Sequence, residues 1–221
     1  MLRQVNQGVR VGRQAGEVTV LVHGIWMQGV MLRILGKNLE RFGFRTHSVS
    51  YDFLRQSPEE NARSLFDDIG LLGARQVNLV GHSLGGIVIL HLLHQYPELA
   101  VGKVVLIGSP VHGSSVATRM HKTPALRLLL GRSVEKGLLG GAPAFQSDIP
   151  LGIITGKGKM GITALLYPTG EDSDGVVREC ETWINEAADR ISVPRSHSAL
   201  IYSSRCAQYI ARFLQTGRFR G

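Results

Sequence analysis

The stretch Val77-Asn-Leu-Val-Gly-His-Ser-Leu-Gly-Gly86 decides the fold of this 221-residue chain. Its first half is an apolar run typical of a strand buried on both faces, and a helical pattern follows from Leu84 to Tyr96. Between them, Gly81-His82-Ser83-Leu84-Gly85 matches G-x-S-x-G, in which a serine occupies a sharp, strained turn. The glycines are needed because side chains there would collide with the neighbouring strand and helix. We therefore predict that Ser83, beside helix N-terminal amides that favour developing negative charge, is a nucleophile.

Strand and helix patterns alternate along most of the chain. Besides the strand before the elbow, apolar or alternating runs predict strands in five places: from Val18 to the turn at Gly24, and in 44–51, 103–108, 151–156 and 190–194. Helical spacing predicts helices in 29–42, 57–72, 84–96 and 198–214, the second one starting with a capping box of Ser57 and Glu60. We therefore expect an α/β fold with a mostly parallel central sheet and helices on both faces. The length fits one domain spanning residues 1–221.

The region from Val116 to Ile149 has a weaker pattern. Leucines alternate there with glycines, arginines and prolines, and no strand is evident. Ordinary packing helices and a small mobile cap over a functional site would both fit such a sequence. The choice between them stays open.

The chain carries more basic than acidic side chains. Lysine and arginine number 25 against 17 acidic residues, a formal net charge of +8. The basic residues are scattered, and no nucleic-acid-binding motif accompanies them, so we expect no nucleic-acid partner. A solvated positive face and attraction to an anionic membrane surface both fit this balance.

Compartment and redox state follow from the N-terminus and the cysteines. The first sixteen residues lack the apolar core and cleavage site of a secretory signal, so a cytoplasmic location is the default expectation. The chain has two cysteines, Cys180 and Cys206, too few for a disulfide framework. We expect two free thiols.

Four segments, taken together, resemble the α/β-hydrolase fold, specifically its lipase and esterase branch. Besides the serine elbow they are V20-L-V-H-G-I-W26, S109-P-V-H-G-S-S-V-A117, and the pair E171-D-S-D-G-V-V177 and S196-H-S-A-L-I-Y-S-S204. They are similar to the oxyanion loop, to a segment bordering the pocket, and to the acid and histidine loops of small bacterial lipases. The resemblance extends from Val18 to Leu214 and leaves the region 116–149 unmatched.

The resemblance implies a Ser-His-Asp triad in the chain order serine, acid, histidine. A serine hydroxyl needs a base within hydrogen-bond reach and a third group that fixes the tautomer of that base. Of eight histidines, only His197 comes late enough in the chain. Two carboxylates compete for the acid: Asp174, which immediately precedes a glycine as in the resembling lipases, and Asp172, which could instead cap a turn.

The same resemblance implies the remaining site residues. The backbone amides of Ile25, or of Trp26 in its place, and of Leu84 would form the oxyanion hole. Apart from the resemblance, Trp26 and Met27, as apolar residues near the expected site, and His82 are candidate substrate contacts. Trp26 and Met27 could equally belong to the core, and His82 could simply pack or bond locally. We expect neither a metal nor a cofactor.

The expected activity is hydrolysis of carboxylic esters through an acyl-enzyme, on a small-molecule or lipid ester. An acyltransferase or thioesterase with the same triad is the first alternative. A non-catalytic module that binds lipid or an anionic surface is the second.

Overall fold

Six parallel strands form one open sheet. The computed structural model describes residues 16–158 and 172–220. The strands are β1 (Glu17–Val22), β2 (Thr46–Val49), β3 (Gln76–His82), β4 (Val101–Ile107), β5 (Leu151–Gly156) and β6 (Asp189–Val193). Their order in the sheet is β2-β1-β3-β4-β5-β6, and every neighbouring pair is parallel. This confirms the predicted α/β fold, with β2 shorter than expected.

Helices cover both faces of this sheet. They are α1 (Arg33–Glu40), α2 (Pro58–Leu71), α3 (Leu84–Gln95), α4 (Ser115–His121), α5 (Pro124–Leu130) and α6 (Ser204–Thr216). Short 3-10 turns occupy Gly29–Leu32, Gly131–Val134, Glu179–Thr182 and Ser198–Leu200. One apolar core joins α2 and α3 to the sheet, and a second joins α1 and α6 to its other face. Burial of apolar side chains on both faces explains why the strands read as continuous hydrophobic runs.

The start of α2 follows the predicted capping box. The Ser57 Oγ accepts the amide hydrogen of Glu60 at 3.2 Å, and the Glu60 Oε2 accepts that of Ser57 at 2.8 Å. Each side chain thus satisfies an amide that has no partner inside the helix. These bonds fix the start of α2 at Ser57, and the apolar face of the helix packs on the sheet.

Two predicted helices differ in detail. The one expected over 29–42 starts as a 3-10 turn, and Val30 and Ile34 are exposed while Leu35 and Leu39 are buried. The one expected over 198–214 is interrupted, because the Ser203 Oγ accepts the amide hydrogen of Cys206 at 3.3 Å and starts α6 anew. Local side-chain capping therefore overrides the continuous apolar period in this stretch.

The region 116–149 packs over the elbow helix. Apolar side chains of α4, α5 and the following loop form a third core with the N-terminal half of α3, through Leu84 and Ile87. Farther along, exposed ion pairs join Arg132 to Glu60 at 2.6 Å and Lys136 to Glu59 at 2.8 Å. The segment is thus attached to α2 and α3. Whether it moves as a cap stays a prediction.

Two further findings concern thiols and membranes. Cys180 is exposed and Cys206 buried, and both are free thiols as expected. None of the helices within 16–158 and 172–220 has the length and apolar character needed to cross a bilayer.

Candidate active site

The elbow holds Ser83 in a strained backbone conformation. Ser83 lies between β3 and α3 with φ 54° and ψ −123°, a region that residues with a side chain rarely adopt. A Cβ atom on Gly85 would lie 2.3 Å from the backbone oxygen of Val22, and one on Gly86 would lie 2.1 Å from the Ser109 Oγ. The predicted reason for the flanking glycines, close approach of strand and helix, is therefore confirmed.

His197 and Asp174 form a buried pair beside this elbow. His197 follows β6, and its Nδ1 lies 2.7 Å from the Asp174 Oδ2. The other carboxylate oxygen, Oδ1, accepts the amide hydrogens of Val176 at 3.0 Å and Val177 at 2.7 Å. Only 1% of Asp174 and 8% of His197 is exposed. With Asp174 oriented by two amides, the His197 Nδ1 carries the hydrogen and Nε2 remains as the basic nitrogen.

The second candidate acid is turned away from this pair. Asp172 is exposed and contacts the ammonium group of Lys157 at 3.4 Å. Lys157 also contacts Glu179 at 3.1 Å, and these acidic neighbours raise its pKa. Of the two carboxylates, the structure therefore brings Asp174 to His197 and leaves Asp172 at the surface.

The predicted oxyanion loop is held by a stacked pair of rings. His23, at the end of β1, stacks on Tyr51 with centroids 4.2 Å apart. The Tyr51 hydroxyl donates to the His23 backbone oxygen at 2.6 Å, and the His23 Nδ1 lies 2.8 Å from the Gly24 oxygen, so Nδ1 donates there. Burial lowers the pKa of His23 and raises that of Tyr51, so both rings remain neutral. Tyr51 was not among the predicted site residues, because nothing in its local pattern points to His23.

Two backbone amides near Ser83 in the described chain, those of Ile25 and Leu84, have no protein acceptor. Across the described ranges, no hydrogen bond involves the amide hydrogen of Ile25 or of Leu84. Gly24 packs directly on the serine, since a Cβ atom there would lie 3.0 Å from the Ser83 Cβ. Trp26, two residues after Gly24, has a positive φ of 58° and donates its indole hydrogen to the Leu129 oxygen at 2.9 Å. The predicted oxyanion loop is thus tied to α5.

A cavity of about 260 Å³ joins the predicted residues. The residues that line it include Ser83, His197, Ile25 and His82. Its apolar side is supplied by α4, α5 and neighbouring loops through Met27, Met31, Val116, Met120, Leu130, Leu138 and Ile201. Trp26 and Tyr202 lie at the half-exposed rim. The region 116–149 therefore forms one wall of the cavity that contains the serine and the histidine.

The described residues form a second cavity but no metal-binding cluster. In the part of the chain that the structure describes, no three His, Cys, Asp or Glu side chains are arranged to hold a metal ion. A second cavity of about 440 Å³ lies beside Trp183 and Arg190, and none of Ser83, Asp174 and His197 lines it. Ser83 and His197 line the smaller cavity, and Asp174 contacts His197 without lining it.

Known proteins share this architecture. At 20% identity the structure of a mature lipase from Bacillus licheniformis matches over 95% of each chain with a TM-score of 0.74. A metagenomic carboxyl esterase, also 20% identical, matches over 91% of this chain and 76% of its own, with a TM-score of 0.70. A phospholipase from Legionella pneumophila, 17% identical, matches over 91% and 59%, with a TM-score of 0.69. These likenesses establish the α/β-hydrolase fold.

Sequence comparison adds a distant relative and a family. A 2-hydroxy-6-oxononadienedioate/2-hydroxy-6-oxononatrienedioate hydrolase from a Pseudomonas species is 28% identical over 129 residues. That match covers 52% of this chain and 44% of the relative, less than half of its length. The family model described as "Domain of unknown function (DUF7379)" matches residues 3–150, more than half of the chain. The chain therefore has an α/β-hydrolase fold and belongs to the DUF7379 family.

Proposed function

We propose that this protein is a serine hydrolase that cleaves carboxylic esters. The observation that carries the proposal is the buried 2.7 Å contact between His197 and Asp174, in the loops beside a strained Ser83. A buried imidazole oriented by a carboxylate, with its second nitrogen available, is what a serine hydroxyl needs to become nucleophilic. The bacterial lipase and the carboxyl esterase of the same fold support an ester as the substrate class.

The mechanism follows from the roles of the three side chains. The Ser83 Oγ attacks the ester carbonyl carbon while the His197 Nε2 takes the hydroxyl proton. The carbonyl oxygen becomes an oxyanion, which the amides of Ile25 and Leu84 stabilise by donating hydrogen bonds. His197 then gives its proton to the leaving alcohol oxygen, and an acyl-enzyme remains on Ser83. A water molecule then gives a proton to His197 and attacks the acyl carbon. The bond to the Ser83 Oγ breaks, the acid is released, and His197 returns the proton to the Oγ to restore the serine hydroxyl.

Asp174 contributes by orienting and stabilising charge. Its Oδ2 holds the Nδ1 hydrogen of His197, which keeps Nε2 free of hydrogen before the attack. When His197 becomes an imidazolium, the carboxylate stabilises it at short range. The two amides that donate to Oδ1 hold the carboxylate in this orientation.

The surroundings of the cavity favour a lipophilic ester as substrate. Methionine and leucine side chains cover one wall, which suits an acyl chain. Trp26, which lines the cavity, is 49% exposed, and its indole bonds to the backbone of Leu129, which is 52% exposed and follows Leu128, 75% exposed. Exposed apolar side chains gathered at one place mark binding sites on soluble proteins. With the net charge of +8, we propose that this rim contacts an anionic lipid surface that supplies the substrate.

Covalent labelling tests the proposed nucleophile. A fluorophosphonate probe should label the wild-type protein, and p-nitrophenyl esters should be hydrolysed with an initial burst. Ser83→Ala should abolish labelling and lower turnover by about 10⁴-fold or more. Ser147→Ala, at an exposed serine distant in sequence from the elbow, is the matched control and should behave as wild type.

The outcomes separate the competing functions. Retained labelling in Ser83→Ala would refute the nucleophile, and a wild-type protein that is not labelled would favour the non-catalytic lipid-binding module. An acyltransferase would instead transfer the acyl group to an added alcohol in preference to water. A thioesterase would hydrolyse a thioester faster than the matching oxygen ester.

A further inference from the structure

His82 lies between the loops of the proposed active site. Its side chain is buried, with 3% exposed, and its ring centroid is 4.7 Å from that of His197. The His82 Nε2 lies 3.2 Å from the backbone oxygen of His197. Because a carbonyl oxygen can only accept, Nε2 carries the hydrogen and donates it. His82 therefore contacts the main chain of the proposed base as well as its ring.

The other nitrogen of His82 faces the oxyanion loop. A Cβ atom on Gly24 would lie 3.2 Å from the His82 Nδ1 and 3.0 Å from the Ser83 Cβ. Nδ1 is buried and has no hydrogen-bond partner among the described residues. An unpartnered buried acceptor costs free energy that an apolar side chain of similar size would avoid. Volume alone therefore does not explain an imidazole at this position, whereas the donor at Nε2 does.

The charge state of His82 suits a permanent neighbour of the base. Burial above all, and then the nearby His197, lower the pKa of His82 to about 3; the Asp174 carboxylate opposes this shift and His23 adds to it. The imidazole thus stays neutral when His197 takes a proton during the reaction. It keeps its donor without placing a second positive charge beside the imidazolium.

We propose that His82 is a positioning residue, whose Nε2 hydrogen fixes the His197 carbonyl and thereby aims the His197 ring at Ser83. This inference rests on the proposed function, in which His197 is the base. A misplacement of about 1 Å between reacting groups can cost about 10²-fold in rate. The bond from His82 spans 115 positions of sequence and joins the elbow to the base loop directly.

Two amide substitutions of His82 distinguish a role of its Nε2 hydrogen from a role of its side-chain volume. Glutamine places its side-chain nitrogen where Nε2 of histidine lies, whereas asparagine ends near the position of Nδ1. His82→Asn should therefore lower kcat and the rate of fluorophosphonate labelling by about 10²-fold, with KM little changed. His82→Gln should recover most of that loss. Equal losses in both variants, or a loss expressed in KM rather than kcat, would overturn the proposal.

His91 supplies the matched control. It is also a buried histidine, and its Nε2 lies 2.8 Å from the Lys136 backbone oxygen, yet it does not line the cavity that contains Ser83. His91→Asn and His91→Gln should lower the Tm while kcat and labelling remain at the wild-type level. A drop in labelling for the His91 variants as large as that for His82→Asn would count against a specific role of His82.

A substrate-independent measurement distinguishes this inference from the proposed function. The hydrogen between the His197 Nδ1 and Asp174 should give a far-downfield proton NMR signal. It should persist in His82→Gln and broaden or shift in His82→Asn. A wild-type protein that is neither labelled nor active would refute the proposed function, yet this signal would still report on His82. An unchanged signal in both variants would overturn the positioning role.

Discussion

Asp174 and His197 are joined twice, once by their side chains at 2.7 Å and once by their main chains, where the His197 amide donates to the Asp174 oxygen at 3.0 Å. The second bond fixes the loop that carries His197, the proposed base, on the loop that carries Asp174. The position of the His197 main chain therefore does not depend on the carboxylate. Loss of the carboxylate should change the tautomer and the orientation of the His197 ring, while the two loops stay together.

The two acidic residues of this loop should differ sharply in importance. Asp174→Asn should lower kcat by about 10⁴-fold, because the amide group can donate to Nδ1 and favours the wrong tautomer of His197. Asp172→Asn should change kcat little, because the Asp172 side chain is exposed and pairs, among the described residues, with Lys157 rather than with His197. Steady-state hydrolysis of a p-nitrophenyl ester by both variants measures the contrast. If Asp172→Asn lowered kcat more than Asp174→Asn does, the catalytic acid would be Asp172 and not Asp174.

The elbow should tolerate no side chain at Gly85. An added Cβ would meet the backbone oxygens of Val22 at 2.3 Å and His23 at 2.5 Å, and backbone atoms of a buried strand cannot move aside cheaply. Gly85→Ala should therefore lower the free energy of unfolding by about 1–3 kcal/mol or more and abolish labelling of Ser83. Urea unfolding followed by circular dichroism gives the first quantity.

Gly70 is the matched control for this substitution. It lies inside α2, and an added Cβ would meet nothing within 4 Å. Gly70→Ala should stabilise the protein by about 0.4–1 kcal/mol, because alanine restricts the unfolded chain. Destabilisation by Gly70→Ala comparable to that by Gly85→Ala would show that steric contact at the elbow is not the cause.

Stability should fall as the solution becomes more acidic than pH 6.5. Burial lowers the pKa of His82 from 6.5 to about 3. Between these pH values His82 therefore binds a proton in the unfolded chain but not in the folded protein. The free energy of unfolding therefore decreases as the pH falls from about 6.5 toward 3, and is unaffected by this group above that interval. His23 and His91 act in the same direction.

Comparison with His82→Gln isolates this contribution, because glutamine does not titrate. Urea unfolding of both proteins at a series of pH values should give a shallower dependence for the variant between pH 6.5 and 4. Parallel curves would show that His82 takes its proton equally well in the folded protein.

The two tryptophans offer a direct measurement of lipid contact. Trp26 and Trp183 are the two tryptophans of the chain, with 49% and 48% exposed, and each donates its indole hydrogen, to Leu129 and Asn185 respectively. Trp183→Phe leaves Trp26 as the fluorophore at the cavity rim. Its emission should shift to the blue on addition of vesicles that contain phosphatidylserine, because the indole leaves water.

Trp26→Phe is the reciprocal control, since Trp183 lies at the other cavity. Its emission should stay unchanged with the same vesicles, and vesicles of phosphatidylcholine alone should give a smaller shift for Trp26 than the anionic ones. Equal shifts for both tryptophans would indicate unspecific adsorption, and no shift for Trp26 would remove the lipid surface from the proposed function.

Local patterns predict most of the frame of this protein. The capping box at Ser57, the strand before Ser83 and the elbow itself depend on residues adjacent in sequence, and each is confirmed. Strand and helix ends, in contrast, depend on individual hydrogen bonds, such as the one from Ser203 that separates α6 from the preceding turn. An apolar period does not reveal such a bond.

The contacts between loops lay beyond sequence reasoning. The stacking of Tyr51 on His23, the donor from His82 to His197 and the bond from Trp26 to α5 join residues far apart in the chain. Nothing in the composition of either partner specifies the other. The exposed Val30 and Ile34 illustrate the converse, because helical spacing alone does not tell which apolar residues find a neighbour.

The strand order has a consequence for the time at which Ser83 becomes reactive. Ser83 is carried by β3 near the middle of the sheet, whereas Asp174 and His197 follow β5 and β6, which are synthesised after β3 and β4. In the proposed mechanism, a nascent chain that has folded β1 to β4 holds Ser83 without its base and should be unreactive. Acylation by a probe during refolding would therefore act as a clock for the docking of the last two strands.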